Sequence, residues 1–247
     1  MIRRDYSADV TPGALPRAAT LACWLNACIA GQVSPDDFSE QVRGDDPHHL
    51  VAGLPGSEPV PLLEAVGRLR QLGGVGASLA LPAPGDPVGL AGPARFNAAA
   101  LDQGSAVIVT GASLGLVPTI DARTVVWVAQ PAQTPVALDP GEASGILRRT
   151  LLEVTQRLVA LDVAGWQPEI PDLLINLRHR GSLPLPPGYD ARRVEMIERA
   201  VLCLDIVGLA RASDGGAVSA YEMDRRTSAL SDLDRSARRA LVAGCGR

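Results

Sequence analysis

The chain has 247 residues, 23 basic against 27 acidic, for a net charge of −4, with 47% apolar and 20% charged positions. Every one of the 23 bases is arginine, and there are only three histidines and four cysteines. The missing lysine excludes Walker-type phosphate loops, kinase chemistry and Schiff-base chemistry, all of which need a lysine amine.

Coding bias accounts for the lysine gap, because arginine, alanine, glycine and proline are favoured by GC-rich codons, as in an actinobacterium. Charge is spread evenly: residues 1–100 sum to −3, 101–189 to −2 and 190–247 to +1. The arginine pairs 192/193, 225/226 and 238/239 have acids nearby, which predicts solvated, salt-bridged helix surfaces. No segment has the basic face that nucleic-acid binding requires. Residues 1–10 are polar, and the apolar stretch 18–29 is too short to span a membrane and contains Asn26. Cys23, Cys28, Cys203 and Cys245 lack metal or redox spacing and fit free thiols in a reducing cytoplasm.

In chain order, residues 18–29 read as a core helix, with Leu21, Trp24, Leu25, Cys28 and Ile29 at helical spacing among alanines. Ser34-Pro35-Asp36-Asp37 signals the start of a second helix. A third spans about 60–72 and is stopped by Gly73-Gly74. Residues 75–81, 105–110, 114–120 and 124–130 are β-prone runs. The last three lie so close together that antiparallel pairing is predicted. A Gly/Pro-dense loop, 82–93, and a short helix to about Leu101 separate the first two runs. Asp139-Pro140-Gly141-Glu142 opens a long helix to about Ala164, and a short helix is predicted around 172–180. Asp190 caps a helix to about Ala212, and Ser219-x-x-Glu222 and Ser231-x-x-Asp234 begin two more. The order helix, sheet, helix predicts an α+β fold with a small, mostly antiparallel central sheet flanked by N- and C-terminal helices. One domain over 1–247 is expected, helical at 14–72, β-rich at 73–131 and helical at 139–244.

Gly111-x-Ser113-x-Gly115, directly after the apolar run 106–109, resembles the nucleophile elbow of the α/β-hydrolases. That resemblance implies Ser113 as nucleophile and His179 as base, with Asp139, Asp162 or Asp172 orienting it. Against it, Val117, Pro118, Thr119 and Ile120 follow where the family has a helix, so a Gly-rich hairpin is the reading adopted. Thr110-Gly111 onward also resembles the cofactor turn of short-chain dehydrogenases. That family places its turn at the chain start and pairs its catalytic tyrosine with lysine, and this chain meets neither condition. Residues 211–222 resemble a degenerate EF-hand loop, but Arg211 occupies the leading carboxylate position and opposes calcium. Asp45-Asp46-Pro47-His48-His49 gathers metal-ligand types, yet no second cluster completes a site, so an exposed polar loop is expected.

Arg95 sits where the 82–93 loop enters its helix, and a cation there opposes the helix dipole by roughly 0.3–1 kcal/mol. A bound anion would reverse that cost, which makes Asp86, Arg95 and Asn97 candidate ligand-binding residues, with Trp127 or Trp166 as lining. Pairing of Asp86 with Arg95 is the plainer expectation. The sequence therefore predicts a cytoplasmic, non-catalytic protein that binds a protein partner or a small acidic ligand. It needs no cofactor and no metal, and does not engage nucleic acid or membrane. An apolar face at Trp24 or in the last two helices is the expected place for a homo-oligomer interface.

Overall fold

The computed structural model describes residues 13–56, 58–121, 124–160, 182–212 and 220–246. The short helix expected around 172–180, His179, Asp162, Asp172, Trp166 and residues 213–219 of the EF-hand resemblance lie outside them. Helix α1, Arg17–Ile29, buries ten of its thirteen residues, because alanine on every side lets neighbours pack close all round. Helix α2, Pro35–Arg43, is capped as expected: Ser34 Oγ accepts from the Asp37 amide at 3.0 Å.

Strands β1 (His48–Ala52) and β2 (Val60–Pro61) come next, then helix α3, Leu62–Gln71. Both strands fall inside the stretch 14–72 that reads as helical, and β1 takes His48 and His49 out of the loop expected at Asp45–His49, which persists over residues 45–47. The strand's inward positions are His49 and Val51, while Leu50 is half-buried. With a histidine at an inward position, the alternation of apolar residues that marks a strand is invisible in the sequence.

Strand β3 (Gly76–Ala80) is followed by helix α4 (Ala94–Gln103) and by β4 (Ala106–Thr110), β5 (Leu114–Asp121) and β6 (Thr124–Pro131). The six strands make one sheet in the order β2-β1-β6-β5-β4-β3. All neighbours are antiparallel except β1 and β6, whose register sets Leu50 beside Val126. The protein is thus a helix-rich α+β fold with a mostly antiparallel sheet. Pro118 is tolerated in central strand β5 because β4 pairs with β5 only at residues 114–116, so no ladder donor is needed beyond.

One face of the sheet, with Leu79, Val107, Val109, Leu116, Val125 and Trp127, buries the main core against α1, α3 and the C-terminal helices. The other carries a smaller cluster in which Phe96 and Ala100 of α4 cover Ala106, Ile108 and Val117. Helix α5 (Pro140–Ala160) starts as predicted, with Asp139 Oδ1 accepting from the Glu142 amide at 2.7 Å. Helix α6 (Ala191–Ala212) starts with Asp190 Oδ1 accepting from the Arg193 amide at 3.0 Å.

The last helix, α7, runs unbroken from Ala220 to Cys245. Two helices were expected there, the second beginning at Ser231. The buried stripe Ala229, Leu230, Leu233, Ala237, Ala240 and Leu241 passes straight through that serine. Tertiary packing of a continuous face outweighs a local cap worth about 1 kcal/mol. Among the described residues, no helix is long and apolar enough to cross a membrane.

Candidate functional site

Asp86 stands at the tip of the loop between β3 and α4, in a tight turn where Ala83 and Asp86 exchange both backbone hydrogen bonds, 2.9 and 2.8 Å. Its side chain is 4% exposed and reaches α7. Oδ1 accepts from Arg239 Nη2 at 2.5 Å, and Oδ2 lies 3.0 Å from Arg238 Nη1. Arg238 aims that amino group at the Leu81 carbonyl, 2.8 Å away, so its contact with Oδ2 is ionic without being a directed hydrogen bond. Arg238 Nε donates to Asp234 Oδ2 at 2.9 Å, and Asp234 Oδ1 lies 3.5 Å from Arg211. A buried arginine satisfied at three places thus clamps the loop to the last helix.

The candidate residues are not brought together as a set. Asp86 pairs with Arg238 and Arg239 in place of Arg95. Arg95 is exposed in the first turn of α4. Asn97 Oδ1 accepts from the Gly92 amide at 3.0 Å, holding the entry into that helix.

The Ser113 turn joins β4 to β5 as an antiparallel hairpin, with Val109 opposite Leu114. A nucleophile elbow needs a strand-to-helix turn, and this turn runs from strand to strand. Each residue of the motif has a local reason. Gly111 has φ +87°, and a Cβ there would sit 2.3 Å from the Gly73 carbonyl. Ser113 is exposed with φ +53°, a left-handed turn position. At Gly115 a Cβ would lie 2.2 Å from the Phe96 ring, so glycine is what lets α4 close on the sheet.

His49 is the centre of a buried network that joins α1, the turn before β1, β1 and β6. Trp127 Nε1, which can only donate, points at His49 Nδ1 from 3.3 Å, so the ring proton belongs on Nε2. Nε2 then donates to Asp46 Oδ2 at 3.2 Å. Arg17 of α1 donates to both oxygens of Asp46, at 2.7 and 2.9 Å. Both ring nitrogens are thereby engaged, which leaves none to abstract a substrate proton. His48 is exposed, and among the described residues no three histidine, cysteine, aspartate or glutamate side chains are grouped to hold a metal ion.

Burial, the largest influence, lowers the His49 pKa from 6.5 although Asp46 pulls the other way. The Arg17 hydrogen bond lowers Asp46 from 3.8. A group whose folded pKa is depressed contributes stability that is fully present above its unfolded pKa and lost as pH falls through the folded value. Stability is therefore expected to start falling below pH 6.5 through His49, with a second limb below 3.8 through Asp46. Chemical denaturation across that range should show the upper limb flattened in His49→Gln, while the lower one persists.

Asn26, noted in the sequence only as a polar break in an apolar stretch, holds three separate parts together. Its Oδ1 accepts from the Ala77 amide at 2.7 Å, and its Nδ2 donates to the carbonyls of Ala77 and Cys245 at 2.9 and 3.2 Å. The side chain thus acts as one residue of an added strand on β3, the edge of the sheet.

The described cysteines Cys23, Cys28, Cys203 and Cys245 are buried free thiols. Burial raises Cys28 and pushes Cys203 up to about 11, so neither is a ready thiolate nucleophile.

A groove of about 490 Å³ opens where the end of α1, the start of α2 and the 184–188 loop meet. Trp24, Gly31, Gln32, Val33, Ser34, Asp37, Gln41 and Pro187 line it. Trp24 Nε1 donates to the Pro184 carbonyl at 3.0 Å, and the Gln32 amide packs over Gly188, so the loop is tied to both.

A helix-rich α+β protein with a mixed sheet and structurally committed polar residues is the class defined so far. Comparison with known proteins assigns it a family. A model described as Rv1486c-like protein, N-terminal domain, matches residues 18–141, and the corresponding C-terminal domain model matches 141–242. The chain belongs to the Rv1486c-like family. The boundary at residue 141 falls at the start of α5, so the first model takes in the whole sheet. The chain is 29% identical to the uncharacterized protein MT1533 of Mycobacterium tuberculosis (strain CDC 1551 / Oshkosh), over 91% of this chain and 95% of that protein. It is 35% identical to the uncharacterized protein Rv1486c of M. tuberculosis (strain ATCC 25618 / H37Rv), over 46% of this chain and 47% of that one. No solved structure matches it.

Proposed function

We propose that the chain is a non-catalytic binding protein whose ligand is another protein. The observation that carries this reading is where its polar chemistry is committed. His49 has both ring nitrogens occupied, Asp86 and Arg238 neutralise one another, and Ser113 lies in an exposed hairpin turn. What remains free is surface, and the Trp24–Pro187 groove opens to solvent. Small-molecule sites bury most of their ligand, whereas an open groove suits a segment of a larger partner. Buried free thiols accord with a reducing, cytoplasmic setting.

The test is a photo-crosslinking residue placed at Gln41 in the bacterium that makes the protein, with a control at Leu101 on α4. The same protein should be captured repeatedly from Gln41 and not from Leu101, and should disappear when Val33→Trp fills the groove. Capture from both positions alike, or from neither, overturns the proposal. The hydrolase reading makes the opposite demand, a fluorophosphonate label on the wild type that vanishes in Ser113→Ala. The small acidic ligand belongs with Arg95: anions would raise the melting temperature, and Arg95→Ala would abolish the rise.

A further inference from the structure

We infer that Cys23 and Cys245 form a redox-sensitive dithiol, which a peroxide-class oxidant converts into a disulfide between α1 and α7. The inference is independent of the groove and of any partner protein. Both side chains are fully buried, and their thiols are hydrogen-bonded to each other, one from the first helix and one from the end of the last.

The surrounding contacts hold this approach from several sides. Asn26 stands one turn beyond Cys23 on the same face of α1, and it donates to the Cys245 carbonyl at 3.2 Å. The Tyr189 hydroxyl is hydrogen-bonded with the Cys23 thiol and also donates to the Cys245 carbonyl, at 3.4 Å. Arg193 of α6 donates to the Gly246 carbonyl at 3.1 Å, which fixes the turn that follows. At Gly244 a Cβ would lie 2.6 Å from Ile197 Cγ1, so the end of α7 sits directly on α6. Cys28, five residues beyond Cys23, points about 140° away around α1, so the fold selects Cys245 as the partner. A disulfide needs sulfurs about 2.05 Å apart, and two thiols already in contact have only a short distance to close.

The contact with Cys23, and burial after it, raise the Cys245 pKa well above 9.0, so that group is a neutral thiol at rest. Slow reaction with a small, uncharged oxidant follows, admitted when the helix end opens locally. With hydrogen peroxide, one sulfur attacks a peroxide oxygen: an S–O bond forms, the O–O bond breaks, and the displaced hydroxide leaves with the thiol proton as water. The second sulfur then attacks the sulfenic sulfur. An S–S bond forms, the S–O bond breaks, and hydroxide leaves with the second thiol proton. Two thiols are thus oxidised to one disulfide, and one peroxide is reduced to two waters. In a reducing compartment such a bond is transient and reports oxidant. It would tie the helix that opens the N-terminal family region to the helix that closes the C-terminal one.

The test exposes the full-length protein to hydrogen peroxide, quenches with acid, unfolds it and alkylates the remaining thiols for mass analysis. The four free cysteines are expected to fall to two, with Cys23 and Cys245 recovered in one linked peptide, and dithiothreitol should restore all four. Cys23→Ser keeps a hydroxyl for Tyr189 and Cys245, and should retain its remaining thiols. Cys28→Ser should still form the bridge, so the test survives if Cys23→Ser does not fold. The same linked peptide should appear when the bacterium that makes the protein is treated with peroxide and trapped in acid. Four thiols surviving, a linkage to Cys28 or Cys203, or thiol loss that dithiothreitol does not reverse each overturns the inference. So does a bridge that forms in the purified protein and is absent from the treated cells.

Discussion

Asp86→Ala is expected to destabilise the protein by about 3 kcal/mol, the lower end of the range for removing one partner of a buried ion pair. The low end applies because Arg238 keeps two other acceptors, Asp234 and the Leu81 carbonyl, when Asp86 is gone. Arg239 is partly exposed and can return to water, so it adds little. The more telling variant is the pair Asp86→Leu with Arg238→Met. Removing both charges together leaves neither member of the Asp86–Arg238 pair unpaired, and apolar replacements of buried pairs are often neutral or stabilising, although Asp234 then keeps only Arg211 and the Leu81 carbonyl loses its donor. Urea denaturation should therefore place the double variant nearer the wild type than Asp86→Ala. A double variant as weak as the sum of its parts would mean that the loop depends on the ionic geometry itself.

The parts of this fold that were legible in the sequence are those whose cause is local. Ser34, Asp139 and Asp190 each sit three residues before the amide they accept from, so spacing alone reveals them. The hairpins from β4 to β6 follow from turns too short for a parallel crossover. Strand β1 was hidden because its inward position is a histidine, whose partners Asp46 and Trp127 come from a preceding turn and from a strand 78 residues on. At Ser231 a genuine cap pattern lost to a buried stripe set by α5 and α6 packing on α7.

The candidate site divides along the same line. Asp86 is marked in the sequence as a candidate ligand-binding residue in a Gly/Pro-dense loop. The partner expected for it was the nearest arginine, and its actual partner Arg239 is 153 residues away. No local pattern encodes such a pair, since it exists only once the last helix has docked. The groove is still less visible, because Trp24, Gln41 and Pro187 come from three elements and none belongs to a motif. Trp24 is marked in the sequence only as one face, beside the last two helices, where a homo-oligomer interface is expected.

Asn26→Leu is expected to cost about 3–5 kcal/mol, an effect on the scale of the Asp86 change but with a different cause. The substitution keeps the branched outline, with bulkier methyl groups, and leaves the Ala77 amide and carbonyl without partners in a buried place, at about 1–3 kcal/mol for each orphaned group. The Cys245 carbonyl suffers less, because Tyr189 also donates to it at 3.4 Å. Amide exchange at Ala77 should accelerate more than exchange in β5, since an unpinned edge opens before the centre of the sheet. Asn26→Asp separates the two halves of the interaction. Its carboxylate can still accept from the Ala77 amide, but its other oxygen then faces the Ala77 and Cys245 carbonyls with no proton between them. Protonation restores the donor, so the folded-state pKa of this aspartate must be raised above its unfolded value. By the linkage relation the penalty is present at neutral pH and is relieved as pH falls through that raised folded pKa. The stability difference between wild type and Asn26→Asp should therefore shrink on acidification, whereas that of Asn26→Leu stays constant. A difference for Asn26→Asp that does not change with pH would mean that Asn26 holds the edge by shape and not by its paired donor and acceptor.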